Sequence, residues 1–196
     1  TPRSSASGWP GSQTSRIVLD GVRVGAEGLL GPADEGLGHA LEALDMARIG
    51  VAALSVGLAR SAMEHAVRYA TEREQFGRSI ARFGAIQAKL ADMHQKVAAA
   101  RALTWRAGEA VEAVAEGRLS RTGPDGLTAR AAAAKLAASE AATWVADEAV
   151  QIFGGYGYMR DYPVEKLLRD AKGTEIFEGT SEIMRHVIAR EVLRDA

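Results

Sequence analysis

Ala85-Ile86-Gln87-Ala88-Lys89-Leu90-Ala91-Asp92-Met93-His94-Gln95-Lys96-Val97-Ala98-Ala99-Ala100 decides the fold class. Ile86, Leu90, Met93, Val97 and Ala100 recur at alternating steps of four and three, which places them on one side of an α-helix. A seam of this kind interdigitates in an antiparallel bundle. The helix is expected over about 85–116, with Gly117 ending it. Upstream, from about Gly36 to Glu74, Leu41, Leu44, Ile49, Ala52, Val56, Ala59, Met63 and Val67 repeat at similar steps. Gly50 and Gly57 share one side of that stretch and are expected to let another helix approach closely. Downstream, Pro124-Asp125 is a good start signal for a third helix, which Gly154-Gly155 stops after Phe153. Its run Ala131 to Ala134 is too small to form a bulky core, so this helix should pack closely. Shorter helices follow Pro163 and Gly179. The expectation is an all-α, up-down four-helix-type bundle over residues 35–196.

The start of the chain reads differently. Residues 1–15 are rich in Ser, Gly and Pro and read as coil. Ile17 to Val24 reads as a short strand, or as two strands around the Asp20-Gly21 turn. One or two strands are marginal in water on their own. Residues 1–34 are therefore expected to be the coil-and-strand remnant of a sheet domain whose other strands are absent.

Composition narrows the function. A net charge of −1 gives no reason to expect a nucleic-acid partner. The chain has no cysteine, which excludes disulfides and thiolate metal sites and fits a reducing cytoplasm. No apolar run suits a membrane span, and residues 1–15 lack the apolar stretch of a signal peptide. His39, His65, His94 and His186 are scattered without metal-site spacing, so no metal is expected. Trp105, Trp144 and the methionines read as core, and Arg118 to Arg130 as a solvated loop. Helices of 30–40 residues would run about 45–60 Å. In so small a chain they are expected to extend a shared core into a dimer or tetramer.

Three places carry chemistry. In Ile176-Phe177-Glu178-Gly179-Thr180-Ser181-Glu182-Ile183 a carboxylate sits in a tight turn just before a helix. There it can serve as a base aimed into a cleft, or simply complement the helix dipole. Around Arg73, Gln75 and Phe76 a guanidinium, an amide and an aromatic ring meet where a long helix ends. They suit phosphate contact, or a solvated helix end. Gln151, Gly154 and Gly155 mark either a close backbone approach to a ligand or a stop and turn. Asp45 and Arg48, three apart on one helix, also read as an ordinary surface ion pair.

Taken together the segments resemble the acyl-CoA dehydrogenase family. The resemblance runs from about Gly8 to Leu193 and rests on YATEREQFG at 69–77, KLADM at 89–93, AVQIFGGYGY at 149–158, YPVEKLLRDA at 162–171 and IFEGTSEI at 176–183. It implies the C-terminal helical domain plus the last part of the middle β-domain, with the N-terminal half absent. It also implies FAD as cofactor, an acyl-CoA substrate, an electron-transfer acceptor and a homo-oligomer. Glu178 looks like the base that removes the α-proton, in a dry pocket. Ala47 occupies the position from which other branches supply that base. Asp45, Arg48 and Gly179 look like acyl-CoA contacts. Arg73, Gln75, Phe76, Gln151, Gly154 and Gly155 look like FAD contacts across a subunit boundary, with Thr180 and Glu182 beside the flavin and its nucleotide. The chain departs from the family at Gly84, where a glutamine is usual, and at Gly25, Gly173 and Met184. A helical assembly module for a partner flavoprotein, and an acyl-CoA oxidase or flavin monooxygenase on the same fold, are the alternative readings.

Overall fold

The computed structural model describes residues 6–12 and 14–194. The coil expected at residues 1–5 and 13, and the last two residues of the helical domain, lie outside the described residues. Among those described, five α-helices dominate: α1 (Gly36–Glu72), α2 (Gly84–Ala115), α3 (Leu127–Phe153), α4 (Pro163–Thr174) and α5 (Ser181–Val192). A small antiparallel hairpin, β1 (Glu74–Gln75) and β2 (Arg78–Ser79), joins α1 to α2. Phe76 and Gly77 form its turn with φ of 53° and 74°, the paired positive values that match the twist of tight hairpins.

The core shows the helix directions. Ala59, Ala66 and Ala70 from late α1 pack with Met93 and Val97 from early α2 and with Val145, Ala149 and Ile152 from late α3. Ala52 from early α1 packs with Ala107 from late α2 and Ala134 and Ala138 from early α3. So α1 and α3 run together and α2 runs against both. The fourth position is filled by two helices end to end. Val164 of α4 joins the cluster at the C-terminal end of α3, whereas Met184 and Val187 of α5 pack on Ala132 near its start. The bundle is thus up-down-up-down, with its last rod broken between Thr174 and Ser181.

Several expectations are corrected. Residues 17–24 form no strand. Ile17, Val18, Leu19, Val22 and Val24 are exposed, because a strand needs a partner to take its backbone hydrogen bonds and none is in reach among the described residues. The positive φ of Gly21 does match the expected Asp-Gly turn. In α1 the buried line is Ala52, Ser55, Ala59, Ala62, Ala66 and Ala70, while Leu41 and Val67 are exposed. Small side chains let α3 approach, and the bulky ones are displaced to the flank. Gly50 and Gly57 face open space rather than a neighbouring helix. Trp105 is 69% exposed, and Met46 and Met159 are also exposed, so none of the three is core. Helix α3 begins after Gly126, later than Pro124. There the chain folds back so tightly that a Cβ on Gly126 would lie 2.5 Å from the Thr122 carbonyl oxygen. The loop before α3 is not wholly solvated, since Gly123 is buried.

Candidate active site

The break in the fourth rod is built around an unusual backbone. Glu178 has φ +56° and Gly179 φ +105°. A left-handed glutamate is strained, and such strain concentrates at functional turns. The amides of Ile176 and Phe177 close back on the Gly173 carbonyl, and Ser181 N donates to Glu175 O at 3.1 Å. Thr180 caps α5 by accepting from Ile183 N. Met184 presses against Gly179, where a Cβ would meet its Cε at 2.6 Å. The methionine at this departure therefore fills the space under the turn.

Among the described residues, the Glu178 carboxylate makes no hydrogen bond or ion pair, and the backbone N–H groups of Glu178, Gly179 and Thr180 have no acceptor. Glu178 borders a cavity of about 770 Å³ together with Trp9, Thr143, Leu168, Ile176 and Phe177. Its open side is solvent-exposed, unlike the dry pocket implied by the family resemblance. Trp9 donates from its indole to Asp170 O at 2.8 Å and from its backbone to Asp170 Oδ1 at 2.7 Å. It meets Phe177 edge to face at 6.3 Å between ring centres. A Cβ at Gly173 would lie 3.0 Å from the indole nitrogen, so Gly173 makes room for Trp9.

Asp45 and Arg48 are buried, not a surface pair. Arg48 Nη1 donates to Asp45 Oδ1 at 3.0 Å, and Thr128 donates to the other carboxylate oxygen at 2.7 Å. Arg48 Nε is buried with no partner among the described residues. Both residues line a cavity of about 370 Å³ with Arg121, Arg190 and Glu191. It is separate from the cavity beside Glu178.

The other predicted contacts gather at the far end of α3. Arg73, Gln75, Gly154 and Gly155 line a cleft of about 580 Å³ with Tyr69, Phe153 and Tyr156. Tyr69 stacks on Phe153 at 4.0 Å, and Arg73 lies 5.6 Å from the Tyr156 ring centre. Burial pushes the Tyr69 phenol up despite Arg73 beside it. Nothing lies within 4 Å of where side chains on Gly154 and Gly155 would sit. The Arg73 guanidinium and the Gln75 amide are donors, and the open glycine backbone lets a ligand approach closely, a combination that fits a dinucleotide's diphosphate. Phe76, 92% exposed at the hairpin tip, and Gln151, exposed on the last turn of α3, flank this cleft without lining it. Gln87 donates to Ala81 O at 3.1 Å, so its amide is engaged beside Gly84. Glu182 is exposed in the first turn of α5, where its own backbone N–H and the Thr180 hydroxyl hold its carboxyl below the usual range. Thr180 and Glu182 accompany Glu178, not this cleft.

Sequence reading missed Lys135. Its side chain is 0% exposed, and Nζ donates to the Gly179 carbonyl at 2.6 Å. The available signal was a lone lysine on the buried line Ala131, Lys135, Ala138, Ala142. Trp9 was missed too, inside a segment read only as coil.

A four-rod helical bundle whose last rod breaks to present, among the described residues, an unpaired carboxylate at a cavity defines a helical domain with a candidate site at that break. The sequence profile of "Acyl-CoA dehydrogenase, C-terminal domain" matches residues 34–193, and the chain belongs to the acyl-CoA dehydrogenase family. It is 47% identical over 190 residues to acryloyl-CoA reductase (NADH) of Anaerotignum propionicum, covering 97% of this chain and 46% of that protein. The solved butyryl-CoA dehydrogenase of Megasphaera elsdenii matches with a TM-score of 0.87 and 42% identity, over 96% of this chain and 46% of that one. A structure from work on the electron transferring flavoprotein of Acidaminococcus fermentans matches with a TM-score of 0.90 and 44% identity, over 100% of this chain and 49% of that one. The chain spans about half the length of the curated relatives it matches. No helix among the described residues is long and apolar enough to cross a membrane.

Proposed function

We propose that this chain is the C-terminal part of a flavin-dependent acyl-CoA dehydrogenase, with residues 35–196 as its helical domain and 1–34 as the end of a β-domain. The observation that carries the reading is Glu178, held left-handed at a cavity in a broken helix with no partner for its carboxylate among the described residues. A carboxylate left free of ion pairs is able to take a proton from carbon. Glu178 removes the α-proton of the acyl thioester, and the free backbone N–H of Glu178 donates to the thioester oxygen as negative charge builds there. FAD, held by Arg73 and Gln75 of a neighbouring subunit, would supply the acceptor for the hydride that leaves the β-carbon as the α,β double bond forms. The buried Asp45–Arg48 pair, with an uncommitted guanidinium N–H, faces the CoA portion.

The Arg73 cleft and the Glu178 turn serve different copies of the site. Lys135, beside Glu178, and Phe153, beside Arg73, are about 27 Å apart along α3 at 1.5 Å per residue. A homo-oligomer, dimer or tetramer, lets Arg73, Gln75 and Phe76 of one subunit complete the FAD site of the next. The exposed apolar flank of α1 and Trp105 supports such an assembly. The Acidaminococcus match supports an electron-transferring flavoprotein as electron acceptor, and the cysteine-free composition supports a cytoplasmic setting.

The test is acyl-CoA oxidation by the complete subunit with a dye acceptor. Glu178→Gln should abolish turnover while FAD stays bound, and an unchanged rate would sink the assignment. The likeness to acryloyl-CoA reductase favours a second arm in which an enoyl-CoA is reduced by the same residues in reverse.

A further inference from the structure

Lys135 is an expensive residue to bury. An ammonium inside a bundle loses its hydration and must recover it from local acceptors. Here burial pushes its pKa down, with Arg48 adding to the effect, while Glu175, Glu140 and Glu178 favour the charge. Among the described residues, Gly179 O is its one hydrogen-bond acceptor. That carbonyl belongs to the Gly179–Thr180 peptide, one residue past Glu178. In a trans peptide the carbonyl and the following N–H point opposite ways. With the Gly179 carbonyl drawn inward by Lys135, the Thr180 N–H points away from α3, and it has no acceptor among the described residues. Drawing that carbonyl inward also helps hold the strained backbone of Glu178, which an unsupported turn would relax.

We propose that Lys135 is a positioning residue: by holding the Gly179 carbonyl inside the bundle it fixes the Glu178–Thr180 turn, so that Glu178 faces the cavity. This rests on the reading of Glu178 as the base. Lys135 itself touches no reacting atom.

The absence of cysteine permits a clean test. Lys135→Cys places a unique thiol in the unfolded chain. Alkylation with 2-bromoethylamine restores an ammonium of nearly lysine length, and alkylation with a propyl halide gives its uncharged counterpart. Both forms are refolded alongside Lys135→Met, and amide hydrogen exchange is followed at Ser181 and Met184, whose N–H groups bond to Glu175 and Thr180. The neutral forms should exchange at these amides at least about tenfold faster, the size expected from losing a charge-assisted hydrogen bond. Gly123 N–H, held by Glu191 at the other end of α5, should be unaffected. The aminoethyl form should return the turn to wild-type protection. Unchanged exchange in the turn overturns the proposal. So does equal acceleration throughout the bundle, or failure of only the neutral forms to fold, because either makes the role global. In the complete enzyme, Lys135→Met should lower kcat with KM little changed. Exchange reads the turn whatever reaction is catalysed, so an unmoved turn sinks the role of Lys135 alone. An unmoved rate in Glu178→Gln sinks the reading of the base alone.

Discussion

Two glutamates stand at the two ends of α5, and their surroundings are opposite. Glu191 is 0% exposed and saturated with donors. It accepts from Gly123 N at 2.9 Å, from Arg190 Nε and Nη2 at 3.1 and 2.9 Å, and from Arg194 Nε and Nη2 at 3.0 and 3.1 Å. Glu178 is exposed and strained, and among the described residues it is unpaired. The first carboxylate ties the loop before α3 to the last helix, and its lone pairs are spent on that task. The second has all of its acceptor capacity free. On the proposed reading, the satisfied carboxylate serves structure and the unsatisfied one serves chemistry.

Exchanging the charge for an amide at each site tests the contrast most sharply. Glu178→Gln in the complete enzyme should cut turnover by about 10²–10⁴, the range for a positioned general base. Its melting temperature should stay within about a degree, since no native partner is lost. A large fall in stability there would break the comparison. Glu191→Gln should do the reverse. Its carboxyl is pulled down to about 2 by Arg194 first, then by the Gly123 N–H and Arg190, against the opposing effect of burial. From the ordinary value of 4.5 this corresponds to roughly 3 kcal/mol as an upper figure. Calorimetry should show a melting point lower by about 6–10 °C for a domain of this size.

The same difference has a pH signature. A depressed carboxyl stabilises the fold above its unfolded pKa and ceases to do so as pH falls through its folded pKa. The stability gap between the wild type and Glu191→Gln should therefore be constant above about pH 5. It should close as pH drops from 4.5 towards about 2. A gap that persists at the acid end would mean that packing, not charge, holds Glu191. The smallest effect lies between the two residues, at the cap of α5. Thr180→Ala removes the side-chain acceptor for Ile183 N and should cost about 0.5–1 kcal/mol in urea unfolding.

The helices were legible because periodicity, Gly stops and the Pro163 start are local signals. All five appear within a few residues of where the pattern puts them. The buried face of α1 was less legible, since a hydrophobic count favours Leu41 and Val67 over alanines. Close packing rewards the reverse, because small side chains let α3 approach. The strand at 17–24 was read from composition, but a strand exists only with a partner. In the site, the Arg73 and Gly154 segments come together in one cleft, a proximity that the separate motifs do not state. Asp45 and Arg48 read as a possible surface pair from spacing, and only their burial against Thr128 distinguishes them. Gly173 and Trp9 lie far apart in sequence, so their fit was invisible before folding.

By itself the sequence determined five helices, an all-α bundle, the family and the glutamate in the turn before the last helix. Each is written in neighbouring residues or in short motifs. Only the tertiary structure decided that α4 and α5 are one rod with a break, that Glu178 is left unpaired while Glu191 is saturated, and that a buried lysine on α3 holds the turn between them. Those facts depend on which groups from distant parts of the chain share a small volume, where an unmet hydrogen bond or a buried charge carries its full energetic weight.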